Sequence, residues 1–150
     1  MAKVASVCAV CVSEAKGTIK TPVNEIVLQK GHGIVGDAHA GDWHRQVSLL
    51  AQESADTPRQ RFPTIAPGAF AENILTQGLV LYTLPVGTHL RVGPALLQIT
   101  QIGKECHQDC EIRRQTGDCV MPREGVFAIV ITEGTVRAGD VVEVAAAPAS

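Results

Sequence analysis

The chain has 150 residues and a formal net charge of −2, from 13 Lys and Arg against 15 Asp and Glu. That length suits one domain able to bury its own core, and the near-neutral balance gives no overall basic field for nucleic acid. Hydrophobic residues make up 45 % and aromatics only 3 %, so the core falls to Val, Ile, Leu and Ala rather than to rings.

No apolar run reaches the ~18 residues that a membrane helix requires. The five cysteines are odd in number and fall into two clusters. That pattern argues against a secreted disulfide framework and for reduced thiols in a cytoplasm.

In chain order, residues 4–12 are rich in Val and small side chains. They read as a buried first strand rather than a secretory leader, because they lack a Leu-rich core and a persuasive cleavage site. Cys8 and Cys11 have C-x-x-C spacing, but strand residues three apart point to opposite faces. Inert buried thiols are therefore expected there, not a shared ion or a disulfide. Residues 24–28 form a second short apolar run.

Gly31-His32-Gly33-Ile34-Val35-Gly36 spells G-x-G-x-x-G. A dinucleotide site needs a helix to open at that point, so that its first amides face a pyrophosphate. The following Asp37-Ala38-His39-Ala40-Gly41-Asp42 has no apolar period, which argues against one. His32, His39 and His44 with Asp37 and Asp42 could ligate zinc, or could bond their own backbone. Arg45, leaving this loop, could hold a phosphate through its planar fork or form a surface salt bridge.

Residues 47–55 suggest two turns of helix, ending before Pro58 because proline disfavours helix at the residue before it. Residues 57–68, with three prolines, read as an irregular loop. Residues 87–92 and 95–102 flank Gly93-Pro94 as a hairpin. Residues 126–132 are a β-branched strand turned by Glu133-Gly134. Residues 135–136 and 140–144 then flank Arg137-Ala138-Gly139, and residues 145–150 should fray.

A faint internal echo aligns Gly87, Leu90 and Val92 with Gly139, Val142 and Val144. In each copy a glycine turn feeds a strand with alternate apolar residues, as where strands enter a small barrel. No linker divides the chain, so residues 1–150 are read as a single domain.

The chemistry concentrates in residues 102–127. Cys106, Cys110 and Cys119 lie there among Lys104, His107, Arg113, Arg114 and Arg123. Neighbouring cations favour the thiolate, the form that binds soft metals and attacks sulfur. Cys106, His107, Cys110 and Cys119 could also hold a structural zinc, although their spacing departs from the common knuckles. A turn of helix is expected over residues 110–115.

Taken together, G-I-V-G-D-A-H-A-G, R-Q-V-S-L-L, F-A-E-N-I, L-P-V-G-T, I-G-K-E-C-H-x-x-C-E-I and T-G-D-C-V-M-P-R-E-G-V-F-A, closing on G-T-V-R-A-G-D, form a pattern. It resembles the stand-alone bacterial MOSC proteins, named for the C-terminal domain of molybdenum cofactor sulfurases. The resemblance runs over about residues 17–140, and the cysteine-rich segment is its most specific part.

The resemblance implies a mainly β fold, a distorted β-barrel of the MOSC and pyruvate kinase barrel type with a few short helices. It also implies a molybdenum cofactor (molybdopterin) as ligand, or a role in passing sulfur to metal centres. The family cysteine that ligates molybdenum or carries sulfur corresponds to Cys110, with Cys106 the other candidate. Asn73 matches the family's residue beside the pterin. The chain departs from the reductase branch in having Ala71 where that branch has Arg, which leaves Arg45, Lys104 and Arg113 to bind a phosphate.

Three functions are therefore expected, in this order. The first is a carrier of molybdenum cofactor or sulfur, with a cysteine desulfurase-type donor or cofactor-biosynthesis proteins as partners. The second is a molybdenum-dependent reductase of N-hydroxylated compounds, which needs a separate electron donor. The third is a non-enzymatic domain with structural zinc.

Overall fold

The computed structural model describes residues 5–14, 19–52, 72–103 and 124–145. The expected helix over 110–115, the loop over 57–68 and nearly all of the tail lie outside them. Among the described residues the regular elements are eleven strands and one 3-10 turn, Leu81–Thr83. The strands are β1 (Ala5–Val12), β2 (Thr21–Val23), β3 (Ile26–Gln29), β4 (Gly33–Ile34), β5 (Val47–Ala51) and β6 (Ile74–Gln77). They continue with β7 (His89–Val92), β8 (Ala95–Ile102), β9 (Val126–Thr132), β10 (Gly134–Val136) and β11 (Val141–Ala145).

The order β11-β7-β8-β9-β5-β6-β1 closes on itself where β1 also pairs with β11, giving a seven-stranded barrel. The closing register is Ala5 with Val142 and Ser6 with Val141. Farther along β1, Val10 to Val12 pair with β2. A small sheet, β10-β3-β4, packs alongside and contributes Ile26, Leu28, Ile34 and Val136 to the common core. That core is aliphatic, as the composition requires: Leu49, Ile74, Leu90, Leu97 and Ile99 are among its buried members.

The hairpin at Gly93-Pro94 is present, with Val92 opposite Ala95. Gly93 has φ 55°, the positive value that a two-residue hairpin loop of the II′ kind asks of its first central residue. The internal echo also has a structural counterpart. Gly87 (φ 99°) and Gly139 (φ 95°) are both left-handed turn residues, and the strands they feed, β7 and β11, are hydrogen-bonded neighbours. Leu90 and Val142 are both buried, but the echo ends at Val144, which is exposed where Val92 is buried.

One expectation is overturned. Residues 47–51 are not the start of a helix but strand β5, paired parallel to β6 and antiparallel to β9. Every residue of β5 is buried. A strand covered on both faces loses the polar–apolar alternation that marks strands, and a short apolar run then looks helical.

Leu49 should show what this strand contributes. Leu49→Ala should lower unfolding stability by about 2–5 kcal/mol in a urea titration, through lost burial and a residual cavity. Val144→Ala, at a position 52 % exposed, should stay within about 0.5 kcal/mol of the parent.

Candidate functional site

Two of the residues singled out from the sequence as cofactor contacts, Arg45 and Asn73, are described. Cys106, Cys110, Lys104 and Arg113 lie outside the described residues, as do His107 and Cys119 of the zinc alternative.

Asn73 is fully buried just before β6. Its Oδ1 accepts the Ser48 backbone N–H and the Ser48 hydroxyl, each at 3.0 Å. Its Nδ2 donates to the Cys11 carbonyl at 3.0 Å. The amide thus ties β1, β5 and β6 together at one point, and the recorded bonds use both Oδ1 lone pairs and one of the two Nδ2 hydrogens.

Arg45 is half-buried. Its guanidinium carbon lies 4.7 Å from the centre of the Trp43 ring and 5.6 Å from that of Phe127. Two aromatic faces hold the cation in place and shed part of its hydration. Phe127 is the register partner of Ser48, so Arg45, Phe127, Ser48 and Asn73 form a continuous run.

The same end of β9 carries the roots of the cysteine-bearing segment. The Gly103 N–H donates to the Gly125 carbonyl at 2.7 Å, so the chain leaves and re-enters at one place. Gln101 bridges from there to the glycine-rich loop. Its Nε2 donates to the Gly103 carbonyl at 2.7 Å, and its Oε1 lies 2.8 Å from His44 Nε2. The Thr100 hydroxyl donates to the His44 carbonyl as well.

The G-x-G-x-x-G stretch enters no helix: after β4 the chain runs through turns to β5. Gly33 is required where it stands. It has φ 116°, and a Cβ there would meet the Gln46 carbonyl oxygen at 2.8 Å. Gln46 is itself buried, and its Oε1 accepts the Val130 N–H at 3.0 Å, extending the β5–β9 pairing with a side chain. Among the described residues, no three or more His, Cys, Asp or Glu converge on a metal position.

A buried ion pair, not foreseen from the sequence, anchors this loop. Lys20 Nζ and Asp37 Oδ1 are 2.8 Å apart, with both side chains fully shielded from solvent. Lys20 also reaches Ser13 Oγ and His39 Nδ1, each at 3.0 Å. Asp37 accepts backbone N–H groups from Ser13 and His39, each at 3.0 Å. The contact to His39, two residues on, is an Asx-type turn. That D-x-H spacing was the one local signal available, whereas nothing local marked Lys20.

Burial alone would raise the Asp37 carboxyl, but hydrogen bonds from the His39 backbone N–H and the Lys20 ammonium, together with the Lys20 charge, outweigh it and hold the group well below the usual carboxylate range. Cys11 behaves in the opposite way. Burial first, then the Glu72 charge, pushes its thiol up to about 12 against the opposing pull of Lys20. At neutral pH Cys11 is a protonated, buried thiol with no nucleophilic role. Cys8, half-buried, falls at a register shift between β1 and β6.

A separate groove of about 410 Å³ runs beside the small sheet, lined by residues including Val27, Val35, Glu133 and Thr135. Its lining brings one carboxylate and neither thiol nor cation.

Because the Asp37 carboxyl is depressed on folding, its contribution to stability is present above the unfolded value near pH 4 and is lost as pH falls toward the lower folded value. Urea midpoints below about pH 4 should therefore drop more steeply for the wild type than for Asp37→Asn. That variant should begin about 3–5 kcal/mol less stable at neutral pH, since it leaves the Lys20 ammonium buried without its partner. Parallel pH profiles would remove Asp37 from the linkage. Thiol labelling gives a second check: Cys11 should react only after unfolding.

The barrel is similar to the YuaD protein from Bacillus subtilis, with a TM-score of 0.77 at 21 % identity, covering 95 % of this chain and 96 % of that one. YiiM from Geobacillus stearothermophilus gives 0.72 at 21 % identity, over 95 % and 75 % of the two chains. YiiM from Escherichia coli gives 0.68 at 22 % identity, over 99 % and 72 %. At these identities the likeness is one of fold. No curated protein matches the chain significantly. The MOSC domain family model, however, matches residues 36–143, from the glycine-rich loop through the cysteine-bearing segment to β11, and the chain belongs to the MOSC domain family.

Proposed function

We propose that this MOSC protein binds molybdenum cofactor, carries sulfur on a reactive cysteine, or does both, with Cys110 or Cys106 as the thiol. One observation carries the reading. The half-buried Arg45 cation, the Gln101 bridge and both roots of the cysteine-bearing segment meet at one end of β9. This supports a site that draws its thiolate from the cysteine-bearing segment and its anion-holding group from the glycine-rich loop.

The described donors fit an anionic, oxygen-rich group. Arg45 offers a guanidinium fixed between two rings, while Asp37, the nearby buried carboxylate, is already neutralised by Lys20. Arg45, with Lys104 and Arg113, would hold a phosphate, and Asn73 would shape the backbone behind it. When bound, the pterin-molybdenum group supplies a redox-active metal for which a soft thiolate is a suitable ligand. As a carrier, the thiolate attacks the outer sulfur of a donor persulfide, forming a new persulfide and releasing the donor thiolate. A cysteine desulfurase-type protein or a cofactor-biosynthesis protein in the cytoplasm is the matching partner.

Elemental analysis of anaerobically purified protein, with intact mass on the same sample, tests this. Molybdenum near stoichiometry supports cofactor binding, and a reducible gain of one sulfur supports carriage. Zinc alone with unchanged mass overturns both. Cys110→Ala should abolish persulfide formation or molybdenum retention, with Cys106→Ala as the comparison that assigns the thiol. Cys8→Ala should leave both intact. Arg45→Met, which keeps an apolar contact with Trp43, should weaken cofactor retention about tenfold or more, as expected for loss of a charged hydrogen bond.

A further inference from the structure

We propose that His39 is a fixed, neutral hydrogen-bond donor that offers its Nε2–H to an anionic oxygen of a ligand bound beside Trp43. The starting point is the Lys20 ammonium, which is only a donor. Ser13 Oγ, Asp37 Oδ1 and His39 Nδ1 stand around it at 3.0, 2.8 and 3.0 Å. A nitrogen that faces an ammonium at hydrogen-bond distance must present its lone pair. The neutral ring then carries its proton on Nε2.

The competing arrangement is an aspartate–histidine dyad, in which Nδ1–H points at Asp37 and Nε2 becomes a base. Geometry disfavours it. Nδ1 is 3.7 Å from Asp37 Oδ2, beyond hydrogen-bond reach. That oxygen already accepts the His39 backbone N–H, and Oδ1 accepts from Ser13 and Lys20. The ring is also oriented from the other side. It lies parallel to Trp43 within 3°, with centroids 6.4 Å apart, and the Trp43 indole N–H donates to the His39 carbonyl at 2.7 Å.

The His39 side chain is 16 % exposed. Nδ1 is turned onto a fully buried lysine, which leaves the opposite edge of the ring, with Nε2, for a ligand. The ammonium behind the ring draws density from Nδ1 and strengthens the Nε2–H donor. A neutral imidazole used in this way polarises an oxygen without adding a proton. A metal ion at Nε2 is disfavoured, because it would force the proton onto Nδ1 against Lys20. Arg45 packs on the same indole, 4.7 Å from its centre, and a donor and a cation on one ring suit a tetrahedral oxyanion, either free or as the phosphate of a larger ligand.

This deepens the function proposed above and rests on it only for the identity of the ligand. The test needs neither cofactor nor cysteine. Full-length protein labelled with ¹⁵N-histidine is examined by long-range ¹H–¹⁵N NMR at neutral pH, with His39→Gln to assign the ring. Nε2 protonated and Nδ1 bare is the expected result, whereas the reverse tautomer overturns the proposal without touching the cysteine reading. Inorganic phosphate and glycerol 3-phosphate are then titrated separately. Either should shift the His39 Nε2 resonance, and the tighter one identifies the free or the esterified source. His39→Phe, which keeps an aromatic ring beside Trp43, should weaken that binding about tenfold, the loss of one hydrogen bond to a charged group. Unchanged affinity in His39→Phe, or no resonance shift with either probe, also overturns it.

Discussion

Closure through β1 is the constraint from which the other features follow. One strand must satisfy β6 along one edge and β11 and β2 along the other, so every register around the ring is fixed by its neighbours. Where the backbone ladder ends, side chains continue it. Gln46 serves Val130, and Asn73 serves Ser48 and Cys11. Polar groups so placed in an aliphatic interior are tolerable only because each is bonded.

The Lys20–Asp37 pair extends the same logic to a charged contact. A buried ion pair is weak support for stability, because desolvating two charges offsets most of their attraction. Its value here is positional. It fixes the turn after β4 against the end of β1, and that turn delivers Trp43, His44 and Arg45 to β8 and β9. These side chains thus sit on a short loop whose base is held by charge and whose far end is held by β5.

Much of the barrel is legible in the sequence because its hairpins are local. Gly93-Pro94 and Arg137-Ala138-Gly139 each announce a turn between apolar runs, whereas Glu133-Gly134 makes no turn: Gly134 already belongs to β10, which passes on to pair with β3. β5 looks helical in sequence because Val47 to Ala51 are buried on both faces and show no period of two. β2, β4 and β6 are too short to carry one. The site was legible in part. Arg45 stands out as the cation leaving the glycine-rich loop, Asn73 through motif resemblance, and Cys106 and Cys110 through cation-rich surroundings. Lys20 was invisible because its partners lie 7, 17 and 19 residues away, and no pattern within a single element encodes a contact made by closing a loop. Gln101 was hidden for the same reason, as one polar residue in a strand.

The Gly103–Gly125 hydrogen bond has a consequence for how such a protein can change over time. A segment that leaves and returns through one backbone contact between adjacent antiparallel strands is a cassette. Its length enters the folding free energy only logarithmically, about 0.6 kcal/mol for each doubling. The β8–β9 register beside that contact, Ile102 opposite Val126, is set by the strands themselves. A barrel of this design can therefore exchange the thiol-bearing stretch, its spacing and its cations while leaving the aliphatic core untouched. Related chains can then diverge in chemistry well before they diverge in shape.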